Sequence, residues 1–375
     1  MSPNESTTEF RRLAPGPSRH EAIARAAKAL QDGGVVVLPT ETVYGIAACA
    51  DRPDAIARLR RLKGRADTKP FQLLVGSVEE AQDYAAAPGR VAGKLMRCFW
   101  PGPLTLVLPA AASADPLLTD AQATPPTVGL RLPDHAETRA ILRESGCTLV
   151  AASANPEGEP SACNAKDALR YFDGKVDLVL DGGPVTGGMA STVLAVRDER
   201  LELLRAGAIP ETALRETARY RILFAGEEGA PGAAMAAVVC RHMLAARHVD
   251  AAVEAAAPGL EADRDRLPRA AVEALHEMGY PIDEPDRTFL TERALDRADI
   301  VYALSEPVRE QLVADAPAAG ERVRLLELPA RPDLPAGHPG RRIMGPNYHE
   351  IAVALEQALW EPCKQLASEL AGQTA

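Results

Sequence analysis

Val35 to Leu38 is an unbroken β-branched and leucine run set between Gly33-Gly34 and Pro39-Thr40, and it restricts the fold more than any other segment. A run this short and uniformly apolar, bounded by turn residues, predicts a strand buried on both faces. The preceding HEAIARAAKALQD (20–32) predicts an amphipathic helix, ended by the glycine pair because glycine accepts the left-handed cap conformation. A doubly buried strand beside such a helix requires a layered α/β arrangement. The alternation continues. SVEE (77–80) is a capping box opening a helix. LTLVLPA (104–110), TVGLRL (127–132), TLVAASA (148–154) and VDLVLDGG (176–183) predict strands, with helices at 136–145 and 164–172 between the last three. STVLAV and RLELLRAG predict a hairpin around Asp198-Glu199. The first half is therefore expected to be α/β with a twisted mixed sheet.

A second α/β pattern begins at Tyr220. RILFAG predicts a strand, then comes a loop of small residues and a helix through Ala246. A helix near 267–278, a strand at 300–304, a helix near 306–314, a strand at 323–328 and a long helix near 348–371 complete it, with 329–347 a loop rich in Pro, Gly and Arg. Two domains suit a chain of 375 residues that is 46% apolar. The expected boundaries are a disordered leader at 1–17, a first domain at 18–210, a helical connector at 211–219 and a second domain at 220–375.

The net charge of -10 argues against a surface that attracts nucleic acid as a whole, while leaving room for a local basic pocket. Direct tRNA binding is thus not expected. The six cysteines (Cys49, Cys98, Cys147, Cys163, Cys240 and Cys363) form no CxxC pair and have no His at ligand spacing, so they are expected to be reduced, buried thiols. The N-terminal residues lack the apolar segment of a signal peptide, and no apolar run approaches the ~20 residues of a membrane helix. A cytoplasmic location with no membrane partner is expected.

PTETVYG (39–45) leaves the buried strand at its C-terminal end, where α/β sheets present ligand-binding groups, and offers Thr40, Glu41, Thr42 and Tyr44. LKGR (62–65) sets Lys63 and Arg65 at a helix C-terminus, a pair suited to polyphosphate or, equally, to the helix dipole alone. Arg131 interrupts an apolar strand and needs a partner; it is expected to bind a substrate anion rather than to make an internal salt bridge with an Asp or Glu. SANPEGEPS (153–161) and DGGPVTGGMASTV (181–193) are loops dense in polar donors and glycine.

Taken together, PTETVYG, KGR, WPGPLT (100–105), VGLRLPDH (128–135), SAN (153–155), DGG with STV, and LLRAG (203–207) resemble, in order and spacing, the YrdC-like L-threonylcarbamoyladenylate synthases. The resemblance covers almost all of 20–210. It implies an α/β domain around a basic concave cleft. The implied activity is nucleotidyl transfer: threonine is carbamoylated by bicarbonate and adenylated by ATP, with release of pyrophosphate. The product supplies a transferase complex that modifies tRNA. Carried onto this chain, the family's threonine-binding positions are Thr42, Arg131 and Ser191, and its phosphate-binding pair is Lys63 and Arg65. Its nucleotide-binding positions are Lys69, Thr127, Ser153, Asn155, Ser161 and Arg205. A histidine and a small hydroxyl used by some members fall at Leu74 and Ala151. Mg2+ is expected with ATP, held mostly by phosphates and water. A competing expectation is an RNA-binding or regulatory protein of this family without synthase activity.

The second half resembles a low-molecular-weight protein tyrosine phosphatase in the order of RILFAG, its loop and helix, ADIVYAL and RVRLLEL. That family needs a thiolate and an arginine at the two ends of the loop. Gly226 and Gly232 stand there instead, and Glu227 and Glu228 add negative charge. The family's acid corresponds to Asp333. A phosphatase-like domain without activity is expected.

Overall fold

The computed structural model describes residues 7–64, 70–185, 187–227, 230–257, 267–282, 287–328 and 348–374. It divides into two compact units, 1–216 and 217–375.

In the first unit ten strands form one sheet: β1 (Glu9–Arg12), β2 (Val36–Leu38), β3 (Gly45–Cys49), β4 (Gln72–Leu74), β5 (Leu104–Pro109), β6 (Thr127–Arg131), β7 (Leu149–Ser153), β8 (Leu178–Asp181), β9 (Thr192–Arg197) and β10 (Arg200–Arg205). Their order is β1-β8-β2-β3-β7-β4-β6-β5-β9-β10. Pairings of both senses occur: β4 runs parallel to β6, whereas β3 and β4 flank β7 antiparallel. The expected mixed α/β sheet is present. Val36, Val37 and Leu38 are fully buried, as their composition predicts.

Strand alternation creates the cleft. Gln72 pairs with Gly129 and Ala151, and Leu74 with Arg131 and Leu149. Residues directly opposite across strands share a face, so all six lie on one side of the sheet. Part of that face is closed by helices Pro17–Gln31 and Ala136–Ser145, whose Leu30 and Ile141 pack with Leu74, Leu149 and Leu178. The rest of it stays open as the cavity described below.

Two local devices fix the far edge. Asp198 and Glu199 both take left-handed φ, 49° and 61°, giving the two-residue hairpin between β9 and β10. The Glu199 carboxylate then accepts from the Val91 N–H at 2.8 Å, satisfying the first turn of helix Arg90–Phe99. Elsewhere in the first unit, Ser77 caps Val78–Ala81 as the capping box predicts. Glu80 departs from that box by accepting from the Gly76 N–H at 2.7 Å.

Two expectations are corrected. Residues 7–17 are not a disordered leader. Glu9–Arg12 pair in parallel with β8, Leu13 is buried, and Arg25 holds Glu9 at 2.7 Å. The segment EFRR carries no apolar alternation because an edge strand is held by backbone hydrogen bonds. Nor are all the cysteines reduced: Cys49 and Cys147 form a disulfide. The antiparallel register of β3 with β7 sets Cys49 opposite Leu149 and brings the two cysteine Cα atoms to 5.9 Å. Their separation of 98 residues hides this in the sequence. Cys98, Cys163, Cys240 and Cys363 are free thiols.

The second unit holds five parallel strands, β11 (Tyr220–Ala225), β12 (Ala251–Ala257), β13 (Arg287–Phe289), β14 (Ile300–Ala303) and β15 (Val323–Leu325), in the order β13-β12-β11-β14-β15. This is the expected parallel, Rossmann-like sheet. Ile222, Phe224, Val253 and Tyr302 face helices Gly232–Ala245 and Tyr348–Thr374. Leu223, Val301 and Val323 face the opposite layer with Leu295 and Leu312. Among the described residues no helix is long and apolar enough to cross a membrane.

Deleting residues 1–12 is expected to lower stability by about 2 kcal/mol, since it removes the ladder bonds of β1 and uncovers the β8 edge. A thermal melt of the truncated chain checks this; an unchanged Tm would show that β1 adds nothing.

Candidate active site

The open part of the sheet face forms a cavity of about 600 Å³, lined by residues from β4, β5, β6, β7, β9 and β10. Of the residues singled out in the sequence, Lys63, Thr127, Arg131, Ser153, Asn155, Ser191 and Arg205 line it. Thr42 and Ser161 stand one contact behind the wall, on Arg131 and Asn155 respectively. Arg65 and Lys69 lie outside the described residues.

Arg131 ends β6, with its side chain 3% exposed. Its Nη2 donates to Glu41 Oε1 at 2.8 Å and to Thr42 Oγ1 at 2.9 Å, and its Nε donates to the Gly102 carbonyl at 3.2 Å. The expectation that Arg131 makes no internal salt bridge is thereby corrected: a guanidinium this buried is compensated within the fold by Glu41. Nη1 makes no hydrogen bond to the described residues, and Arg131 still lines the cavity.

Thr40 shapes the segment that delivers these partners. Its hydroxyl meets Thr42 Oγ1 at 2.9 Å and donates to the Val43 carbonyl at 2.6 Å, folding PTETV into a side-chain-bonded turn. Tyr44 locks the other side: it accepts from the Gly182 N–H at 3.1 Å and donates to the Gly183 carbonyl at 2.7 Å. Burial pushes the Tyr44 phenol up to about 12.

On the opposite wall Arg205 donates through Nη2 to the Ser191 carbonyl at 2.8 Å and to Ser191 Oγ at 3.0 Å. Its guanidinium is pulled below the usual arginine value by burial and by the charge of Arg131. Two cations thus share one cavity, an arrangement that favours an anion between them. Gly207 is required here by space. A Cβ on it would lie 2.4 Å from the Ala190 carbonyl and from the Thr192 nitrogen, so any side chain would displace the strand that carries Ser191.

Lys63 is not a solvated helix end. It is 4% exposed, and its ammonium donates to the Ser153 carbonyl at 2.7 Å, to the Asn155 carbonyl and, at 3.4 Å, to Asn155 Oδ1. Asn155 in turn donates to the Pro156 and Glu159 carbonyls at 2.8 and 2.7 Å. The lysine therefore builds the SAN loop as well as charging the wall.

Gln72, Thr105, Asp120 and Glu157 also line the cavity and were not singled out in the sequence. Thr105 Oγ1 sits 2.9 Å from Ser191 Oγ and donates to Gln72 Oε1 at 2.8 Å, extending the Arg205–Ser191 chain across the floor. Its one sequence signal is a hydroxyl inside the apolar run LTLVL. Leu74 is buried in the core, while Ala151 lines the cavity.

Lys63→Ala is expected to cost about 2–3 kcal/mol of stability, because it removes charged donors from buried carbonyls. Chemical denaturation reads this directly, and a loss within error of zero would contradict the bonded geometry.

A family model for Sua5, YciO and YrdC proteins, described as telomere recombination, matches residues 28–207. The threonylcarbamoyl-AMP synthase of Bacillus subtilis is 40% identical over 187 residues, covering 50% of this chain and 54% of that protein. A putative threonylcarbamoyl-AMP synthase of Mycobacterium leprae is 37% identical over 198 residues, covering 53% of this chain and 88% of that one. P. abyssi Sua5, solved in complex with L-threonine, shares the fold at 22% identity with a TM-score of 0.52, over 85% of this chain and 99% of that one. The chain spans about half the length of the B. subtilis and P. abyssi synthases it matches in sequence. With most of the relative from M. leprae covered at this identity, the match extends well beyond shared fold, and the chain belongs to the Sua5/YciO/YrdC family.

Proposed function

We propose that the first unit synthesises L-threonylcarbamoyladenylate from L-threonine, bicarbonate and ATP, releasing pyrophosphate, as a nucleotidyltransferase. The observation that carries this reading is the cavity in which Arg131, Arg205 and Lys63 converge with the hydroxyls of Thr127, Ser153 and Ser191. The relatives named as threonylcarbamoyl-AMP synthases support it.

In this reading the threonine carboxylate meets Nη1 of Arg131, with Thr42 and Ser191 beside it. Thr127, Ser153, Asn155, Ser161, Lys69 and Arg205 surround the nucleotide, and Lys63 with Arg65 neutralises the phosphates. A carbamate oxygen attacks the α-phosphorus, the bond to the β-phosphate oxygen breaks, and pyrophosphate leaves. No side-chain nucleophile is needed, so the protein acts by positioning and by countering negative charge. Mg2+ brought with ATP would be held mostly by phosphate and water rather than by carboxylates of this chain, and would add to the charge neutralisation that Lys63 and Arg65 supply. The product passes to a transferase complex that modifies tRNA.

Purified full-length protein, given ATP, Mg2+, labelled bicarbonate and each amino acid in turn, is expected to yield the labelled adenylate with threonine only. ATP binding without a carbamoylated product would instead indicate a regulatory protein. Arg131→Lys keeps the charge but loses the planar fork that serves Glu41, Thr42 and a carboxylate together. The apparent KM for threonine is expected to rise on the order of 10-fold or more with that for ATP little changed. An unchanged threonine KM would remove Arg131 from the threonine site.

For the second unit we propose a phosphatase-like scaffold that has lost its chemistry. The loop from 226 to 232 offers no thiol, hydroxyl or cation, and Glu227 is held by Ser305 at 3.0 Å. Asp333, the counterpart of the family's acid, lies outside the described residues. A Cβ on Gly226 would come within 3.0 Å of the Ala233 Cβ, and one on Gly232 within 3.1 Å of Leu304 Cδ1. The full chain is expected not to hydrolyse a chromogenic aryl phosphate, and Gly226→Cys with Gly232→Arg is expected not to restore turnover. Hydrolysis by the unmodified chain that a Glu227→Ala change abolishes would overturn this reading.

A further inference from the structure

Two thiols meet in the second unit. Cys240, on helix Gly232–Ala245, and Cys363, on helix Tyr348–Thr374, are 123 residues apart, yet their sulfurs are 3.7 Å from each other. Both are buried, at 1% and 2% exposure. Both also line a cavity of about 560 Å³ whose other walls include Tyr220, Ile222, Ile300 and Arg324. Those residues place the cavity toward the beginnings of β11 and β14. The loop at Gly226 follows the opposite end of β11, so the thiols take no part in it.

Most buried cysteines are inert packing groups. This pair differs in two respects: the sulfurs touch, and a cavity reaches them. The two thiols are also unequal. The hydrogen bond from the Cys240 S–H, helped by the charge of Arg247, lowers Cys363 below the usual thiol value. The same bond, together with burial, holds Cys240 above it.

We propose that Cys240 and Cys363 form a reversible dithiol–disulfide couple, oxidised by a hydroperoxide that enters this cavity. The Cys363 thiolate attacks one peroxide oxygen. The O–O bond breaks, leaving a sulfenic acid on Cys363 and, with hydrogen peroxide, a hydroxide that takes up the proton Cys363 released. The Cys240 sulfur then attacks the sulfenic sulfur. The S–O bond breaks, and the departing hydroxyl leaves as water with the Cys240 proton. Two thiols lose two electrons and two protons, and the peroxide becomes two waters. The sulfurs close from van der Waals contact to about 2.05 Å. The new bond staples the C-terminal helix to helix Gly232–Ala245 within their shared core. A small dithiol reverses it by exchange.

The test uses the full chain treated with hydrogen peroxide, quenched by alkylation and digested without reduction. Mass spectrometry is expected to find the Cys240 and Cys363 peptides joined, lighter by two hydrogens, and separated again by dithiothreitol. The oxidised protein is expected to melt several degrees higher. In Cys240→Ser, Cys363 is expected to stop at the sulfenic acid and be trapped by a cyclic diketone, whereas Cys240 in Cys363→Ser gives no such adduct. The unmodified protein decides the matter even if a variant does not fold. Oxidation confined to Cys98 or Cys163, or full alkylation of Cys240 and Cys363 after peroxide treatment and unfolding, would overturn the proposal.

Discussion

A guanidinium that is 97% buried has to be compensated where it sits, and the first unit is organised around that requirement at Arg131. Compensation comes from Glu41, Thr42 and the Gly102 carbonyl, three groups on two segments far from β6 in sequence. Removing Arg131 would leave Glu41 facing a low-dielectric wall, and Glu41 Oε2 already lacks a hydrogen-bond partner among the described residues. The turn made by Thr40, the lock made by Tyr44 and the close approach of Gly207 all hold segments against this charge or against its neighbour Arg205. The cavity is what remains once these segments are fixed, so its shape is set by electrostatic compensation as much as by apolar packing.

The same logic explains the paired walls. Arg205 is anchored by a serine that also touches Thr105, and Thr105 reaches Gln72 on β4. This chain of hydroxyls and amide spans the five strands from β10 to β4 without a carboxylate. Asp120 and Glu157 line the wall, and Lys63 donates to the Ser153 and Asn155 carbonyls. Arg205 is thus tethered by dipoles, which orient its charge, whereas Arg131 is paired with Glu41. A negatively charged ligand can then complete the balance.

How much of this was legible in the sequence depended on the range of the interaction. The helices at 136–145 and 164–172, the hairpin at Asp198-Glu199 and the valine strand follow from local periodicity and turn chemistry, and the structure shows them close to those bounds. Strand β1 was not legible, because EFRR is held by ladder bonds to β8 rather than by apolar packing. The three-residue strand Gln72–Leu74 is too short to show a period. Partners across long separations were equally hidden. Cys49 with Cys147 depends on the β3–β7 register, and Lys63 with the Ser153 and Asn155 carbonyls depends on where a helix end meets a loop. For Arg131 the sequence indicated that a partner was needed, but only the fold identified it as Glu41.

The second unit keeps a complete core of its own. Its core needs a parallel sheet covered on both faces, and the alternation of Ile222, Phe224 against Leu223, Ala225 supplies this whether or not the loop at 226 can bind an anion. Gly226 lies close to Ala233, and Gly232 close to Leu304. The helix that follows is buried along most of its length, and the long C-terminal helix lies on it, so the two must meet through small or polarizable side chains. Cysteine is both. The contact between Cys240 and Cys363 is therefore a consequence of close helix packing, and the redox chemistry it permits arises from two sulfurs placed together for volume at the edge of a cavity.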